Sequence, residues 1–168
     1  MIENEIRKIV SKLLYNNNLE FHRLLECDSC VYLWREHPLA KRSSISFKDL
    51  EEYTCISYEQ GDNSSFYFSE EILSTNEYHR TVKVCDRATV LNLMVGLNGY
   101  ILCPRIICEE LNGSEFVSVP FEADEENQNS AMEIGYIIRK NSNLTKMANF
   151  YIEEIQNYLK NNNNGYKL

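Results

Sequence analysis

An α/β fold is predicted by three observations. Strand-favouring and helix-periodic segments alternate along the chain, 43% of its residues are apolar, and 168 residues suffice for one domain or for two small lobes sharing crossover strands.

Ile6, Ile9, Val10, Leu13 and Leu14 form the apolar stripe of a first helix, which Asn16-Asn17-Asn18 ends. Leu19 to Leu25 and Val31 to Trp34 read as strands. The second stops at the charged Arg35-Glu36, after which Pro38, having no amide hydrogen, biases His37 toward extended geometry. Lys41-Arg42 and Ser43-Ser44 read as a solvated connection. Ser46 is placed to cap a short helix containing Asp49, Leu50 and Tyr53, and Cys55-Ile56-Ser57-Tyr58 has the makings of a buried strand.

Phe66, Phe68, Ile72 and Leu73 suggest a helix opening near Ser64, and Thr81-Val82-Lys83-Val84 the next strand. Val90, Leu91, Met94, Val95 and Leu97 fit a buried helix that breaks at Gly96 to Gly99, where Gly99 permits a tight turn. Tyr100-Ile101-Leu102-Cys103 is an apolar strand stopped by Pro104, and a short helix is expected from Arg105 to Leu111. Asn112-Gly113 is a turn signal, Phe116 to Pro120 a strand, Ala123 to Asn129 an acidic loop and Glu133 to Arg139 a further strand. Leu144, Met147, Ala148, Tyr151, Ile152, Ile155, Tyr158 and Leu159, at three- and four-residue spacing, define the last helix. Asn161 to Asn164 reads as a tail.

Seventeen basic against 25 acidic residues give a formal charge of -8, with no basic stripe to neutralise a run of phosphates, so nucleic-acid binding by these residues themselves is not expected. No apolar run approaches the roughly 20 residues of a membrane span, and Met1 to Glu5 lack the pattern of a signal peptide. The expected compartment is the cytoplasm, with no membrane partner. There the six cysteines are expected as reduced thiols, and the Asn63, Asn112 and Asn143 sequons as unglycosylated.

His37-Pro38-Leu39-Ala40-Lys41-Arg42, followed at short spacing by Ile45, Asp49-Leu50 and Tyr53, is the most informative stretch. Further on, Cys85-Asp86-Arg87-Ala88 leads through Val90 to Gly99-Tyr100-Ile101-Leu102-Cys103-Pro104, then come Phe116-Val117-Ser118-Val119-Pro120 and Ile134-Gly135-Tyr136-Ile137-Ile138-Arg139-Lys140 ahead of the long final helix. In this order and spacing, from about Leu19 to Leu159, the chain resembles the ligand-sensing domain of LysR-type transcriptional regulators. The resemblance implies a bilobed, type 2 periplasmic-binding-protein-like fold, with residues 42–115 as second lobe and residues 1–41 and 116–168 as a partial first lobe. It also implies a small-molecule effector held between the lobes, no cofactor and no catalysis. Neither the family's N-terminal helix-turn-helix nor the start of its first lobe is recognisable, so a truncated sensor is expected, reaching DNA only through a missing N-terminal domain. The sheet edge left by the missing strand would invite self-pairing, and a homo-oligomer is expected.

Ligands of layered α/β folds gather at the carboxyl ends of strands, where helix starts present free amides. Two such places stand out. The Cys55 strand and the loop after it offer Ser57, Gln60, Gly61, Asn63, Ser64 and Ser65, and the start of the next helix offers Cys85, Asp86 and Arg87. By resemblance these, with Pro104, form the second-lobe wall of an effector pocket. For Ser64 and Asp86 an ordinary helix-cap role stands beside the ligand role, and for Arg87 a surface ion pair stands beside an anion contact. Two helix starts favour a small anion, whereas Glu59, Asp62 and Asp86 oppose a strongly anionic ligand, so ligand charge is open.

Two other functions compete. One is a freestanding binding or interaction module. The other is a thiol oxidoreductase at Cys27-Asp28-Ser29-Cys30, whose spacing suits thiol exchange or half a zinc site. Against it, an apolar strand follows instead of a helix, Asp28 raises a neighbouring thiol's pKa, and no second Cys-x-x-Cys exists for a metal. His22, His37 and His79 lie near no recognisable nucleophile signature, Glu70-Glu71 reads as a solvated face, and no phosphate-loop or dinucleotide fingerprint is present.

Overall fold

The computed structural model describes residues 10–59, 78–107, 113–122 and 132–161. Among these the chain forms helix α1 (10–16), strands β1 (Leu19–Cys27) and β2 (Ser29–Trp34), the short helix α2 (Phe47–Leu50) and strands β3 (Cys55–Tyr58) and β4 (Thr81–Val84). Helix α3 (Arg87–Gly96), strands β5 (Ile101–Pro104), β6 (Phe116–Pro120) and β7 (Met132–Arg139) and helix α4 (Lys146–Asn161) follow. The chain divides into two units, Asp28–Met132 and the pair Met1–Cys27 with Glu133–Leu168.

In the first of these units, β2 runs antiparallel to both β5 and β6 as the centre of a three-stranded sheet. β3 and β4 pair in parallel with Cys55 opposite Thr81 and Tyr58 opposite Val84. A parallel bridge between Cys55 and Tyr100, closed by Ile56 N–H donating to the Tyr100 carbonyl at 2.8 Å, joins the two sheets just ahead of β5. The carboxyl ends of β3, β4, β5 and β6 therefore point the same way, and the amino end of β2 lies with them.

Side-chain alternation divides the core into two clusters, one per face. Val31, Leu33, Leu102, Tyr100, Cys55 and Val119 pack with Leu39, Ile45, Leu50 and Phe121 on one face. Tyr32, Ile101, Ile56 and Val84 meet Val90 and Met94 of α3 on the other. β2 is central because Ser29 to Leu33 are all buried, so it reads as an uninterrupted apolar run.

The second unit contains α1, α4 and the two-stranded sheet of β1 and β7. Gly135 of β7 lies so close to β1 that a Cβ there would meet the His22 carbonyl oxygen and the Phe21 ring, within 2.7 Å of the latter. Only glycine fits.

Several expected boundaries shift. Tyr53 lies past α2, its N–H closing a turn on the Leu50 carbonyl at 3.0 Å. Val95 and Leu97 were expected inside but are about half exposed, because α3 buries Val90 and Met94 against the sheet, with Leu91 and Leu93 partly buried beside them. Leu144 precedes α4, whose first turn is capped by Thr145 Oγ1 accepting from Ala148 N–H at 3.1 Å. Of the expected apolar stripe, Met147, Tyr151 and Tyr158 are exposed, whereas Leu144, Ala148, Ile152, Ile155 and Leu159 turn inward. Residues 105–107 are not helical, and the remainder of that expected helix, the helix near Ser64, the acidic loop and the tail lie outside the described residues. The two units meet along the chain at 27/28 and 132/133, and β2, β5 and β6 share one sheet within the unit Asp28–Met132.

Candidate ligand site

His37 begins the most informative sequence stretch and is buried. Its Nδ1 accepts from Leu39 N–H at 3.1 Å, which leaves Nε2 to carry the proton and donate to the Asn98 carbonyl at 3.0 Å. Trp34 Nε1 donates to the Asn98 side chain at 2.8 Å, and the His37 ring lies 4.5 Å from that of Tyr53. Asn98 has φ of 50°, in the left-handed region that asparagine tolerates, which presents both its oxygens to this corner. Burial lowers the His37 pKa more than the Asn98 bond raises it, so the ring is held neutral. The motif thus ties the turn after β2 to the turn after α3, and it touches nothing reactive.

The parallel register brings Glu59, just beyond β3, against Cys85 at the end of β4. Beyond β3, Glu59 N–H donates to the Val84 carbonyl at 2.8 Å, and the Cys85 thiol donates to Glu59 Oε2 at 3.5 Å. That bond, then the charges of Glu59 and Asp86, raises the exposed Cys85 thiol's pKa, so it stays protonated and weakly nucleophilic. Asp86 caps α3: Oδ1 accepts from Thr89 N–H at 2.9 Å and Oδ2 from Thr89 Oγ1 at 2.6 Å. Those bonds, the hydroxyl's first, lower its carboxyl pKa. Both carboxylate oxygens are thus engaged by its own helix. Arg87 is exposed on the first turn of α3.

Ser57 is half-buried, on the face of β3 that carries Cys55 and opposite to that of Ile56. Pro104 ends β5 on the same face, since Leu102 belongs to the Cys55 cluster and Cys103 to the other. Gln60, Gly61, Asn63, Ser64 and Ser65 lie outside the described residues.

Ser29 was not expected. It is the register partner of Pro104, it is 1% exposed, and its Oγ has no hydrogen-bond partner among the described residues. A buried hydroxyl without a partner is costly to keep and marks a place where a polar group is wanted. No sequence signal announced it, because Cys27-Asp28-Ser29-Cys30 directed attention to its thiols.

The thiol-exchange alternative finds no support at Cys30. Its thiol is fully buried in β2 and its pKa is pushed strongly upward by the Cys103 hydrogen bond and by burial, the opposite of what the thiol that first attacks a substrate disulfide needs. Among the described residues, no three His, Cys, Asp or Glu side chains gather into a metal-binding group, and no helix is long and apolar enough to cross a membrane.

This arrangement of strands and helices is an α/β fold of the type 2 periplasmic-binding-protein-like class, with polar residues at the carboxyl ends of its strands. The family model of the LysR substrate binding domain matches residues 9–160, and the chain belongs to that family. Its domains are regulatory. Among solved structures, the chain is similar to the effector binding domain of QuiR in complex with shikimate, at 18% identity and a TM-score of 0.55, covering 86% of this chain and 67% of that one. It is also similar to the regulatory domain of MetR from N. meningitidis, at 16% identity and a TM-score of 0.62, covering 90% and 69%. A third is the effector binding domain of a BenM variant, at 18% identity and a TM-score of 0.58, covering 85% and 67%. No curated protein matches the chain in sequence.

Proposed function

We propose that this chain senses a small metabolite at the carboxyl ends of β3, β4 and β5 and passes the binding signal to transcription through a DNA-binding element outside these 168 residues. One observation carries the reading: the parallel β3 and β4 register brings Ser57, Glu59, Cys85 and the start of α3 to one end of one sheet, within a LysR substrate-binding domain. Ser57, Gln60, Gly61, Asn63, Ser64, Ser65, Cys85 and Pro104 line the pocket, with Arg87 at its rim and Asp86 holding the helix start in place. The unpartnered Ser29 hydroxyl favours a ligand with a hydrogen-bonding group. The carboxylates of Glu59 and Asp86 favour a neutral or zwitterionic one over a multiply charged anion. Residues 42–115 act as the lobe that moves against the rest, and the ligand's differential affinity for the two arrangements is the whole of the energy available for signalling. The domain works in the cytoplasm as a homo-oligomer and catalyses nothing.

A thermal-shift screen of small metabolites tests this, repeated on Ser64→Ala and Cys85→Ala. A ligand whose stabilisation falls in either variant supports the site, whereas one that stabilises both variants as it does the parent overturns the assignment.

A further inference from the structure

The sequence directs attention to Cys27 and Cys30, yet the fold gives Cys30 a different neighbour. In the antiparallel pairing of β2 with β5, Cys30 and Cys103 are direct register partners, 73 residues apart in sequence, and their sulfurs stand 3.7 Å from each other. Both side chains project on the face packed by α3, since Tyr32 and Ile101, two residues away on the same strands, belong to that cluster. The two differ in access. Cys30 is fully buried, whereas Cys103 is half-buried at the carboxyl end of β5.

We propose that Cys30 and Cys103 form an oxidisable dithiol, a modification site at which a hydroperoxide converts the pair into a disulfide that staples β2 to β5. Directly opposed residues of an antiparallel pair have Cα atoms about 4.5 to 5.5 Å apart, inside the range of about 4.4 to 6.8 Å that a disulfide spans. The sulfurs have only to close from 3.7 Å to the bonding distance of about 2 Å, by side-chain rotation within an existing strand pair.

Access sets the order of events. The Cys103 sulfur attacks one peroxide oxygen and becomes a sulfenic acid while the O–O bond breaks and the displaced oxygen takes up the thiol proton. The second oxygen leaves as water, or as an alcohol from an organic peroxide. The Cys30 sulfur then attacks the Cys103 sulfur, the S–O bond breaks, and the departing hydroxide takes the Cys30 proton as a second water. Two thiols lose two electrons and two protons in total, and one peroxide bond is reduced. The hydrogen bond with Cys103 and burial raise the Cys30 pKa, so Cys30 keeps its proton until the departing hydroxide takes it. The proposal does not rest on effector binding and is tested without any effector.

The test treats the full chain, reduced and then freed of reductant, with about one equivalent of hydrogen peroxide, and reads intact mass and a non-reducing peptide digest. The expected result is the loss of two hydrogen atoms from the chain, with a peptide containing Cys30 joined to one containing Cys103. That species is restored to two thiols by a dithiol reductant and is absent in Cys103→Ser, while Cys30→Ala stops at a Cys103 oxygen adduct. Linkage of Cys27 to Cys30 or of Cys103 to Cys108, oxygen adducts in the parent with no joined peptide, or no change at all would each overturn the proposal.

Discussion

Replacing His37 by alanine removes a ring that satisfies two backbone groups at once. The Leu39 N–H loses its acceptor at 3.1 Å and the Asn98 carbonyl its donor at 3.0 Å. The buried Leu39 N–H left unsatisfied costs roughly 1 to 3 kcal/mol, the hydrogen bond lost by the carbonyl of the exposed Asn98 about 0.5 to 1.5 kcal/mol, and the lost contact with the Tyr53 ring about 0.5 to 1.5 kcal/mol. Water entering the vacated space satisfies part of the loss, so the expected destabilisation is roughly 3 to 5 kcal/mol. That is a large share of the about 5 to 15 kcal/mol that holds a domain together. Asparagine presents an acceptor near the Nδ1 position and glutamine a donor near Nε2, so His37→Asn and His37→Gln should each fall between parent and alanine variant.

The pH dependence has a definite sign. Burial, opposed by the smaller effect of the Asn98 bond, lowers the folded-state pKa of His37 below the ordinary 6.5, while in the unfolded chain it stays near that value. Above 6.5 both states are neutral and the ring's full contribution is present. As pH falls below 6.5 the unfolded state takes the proton first, and stability drains away until the folded pKa is passed. Urea unfolding followed by fluorescence of Trp34, the one tryptophan and itself bonded to Asn98, reports on this corner directly. The parent should lose more stability than His37→Gln between about pH 7.5 and 5.5. An alanine variant with parental stability, or equal pH slopes for parent and glutamine variant, would refute the neutral-ring assignment.

Other substitutions probe the packing. A Cβ at Gly99 would sit 2.6 Å from Ile56 Cδ1 and 3.2 Å from the Thr54 carbonyl, so Gly99→Ala should cost about 1 to 3 kcal/mol in urea unfolding. Adding Ile56→Val, which removes that terminal methyl, should make the double variant more stable than the sum of the two single losses requires. Gly135→Ala meets a backbone oxygen that cannot yield without parting β1 from β7, so its loss should exceed about 3 kcal/mol and should not be relieved by Phe21→Ala; thermal melts of both variants decide this. Leu33→Ala empties a fully buried position of the central strand and should cost roughly 2 to 5 kcal/mol by chemical denaturation, and a loss below about 1 kcal/mol would contradict its place in the core.

Much of this was legible along the chain. The β3, β4 and β6 ranges coincide with their expected ranges, because each is a short β-favouring run bounded by turn chemistry that acts within a few residues. Ser46 also stands where a helix was expected to start, its N–H and hydroxyl both donating to Asp49 Oδ2 at 3.0 and 2.8 Å. The helices were legible in kind but not in orientation. Periodicity grouped Met147, Tyr151 and Tyr158 with Leu144 and Leu159, and it carries no information on which part of an apolar stripe meets a neighbour.

Of the candidate site, Cys85 and Asp86 were recognisable from a strand ending at a cap, and the structure adds that Asp86 spends both oxygens on Thr89. The thiol pairing was not legible: proximity in sequence pointed to Cys27 and Cys30, whereas the fold sets Cys30 opposite Cys103. The amino-acid order alone determined where β3, β4, β6 and the start of α2 form and that the elements layer as α/β, since propensity, capping and hydrophobic period are local properties. Only the tertiary structure decided which strands pair, that Glu59 meets Cys85, and that the Ser29 hydroxyl is shut in beside Pro104, because each depends on a register set by contacts among residues far apart in the chain.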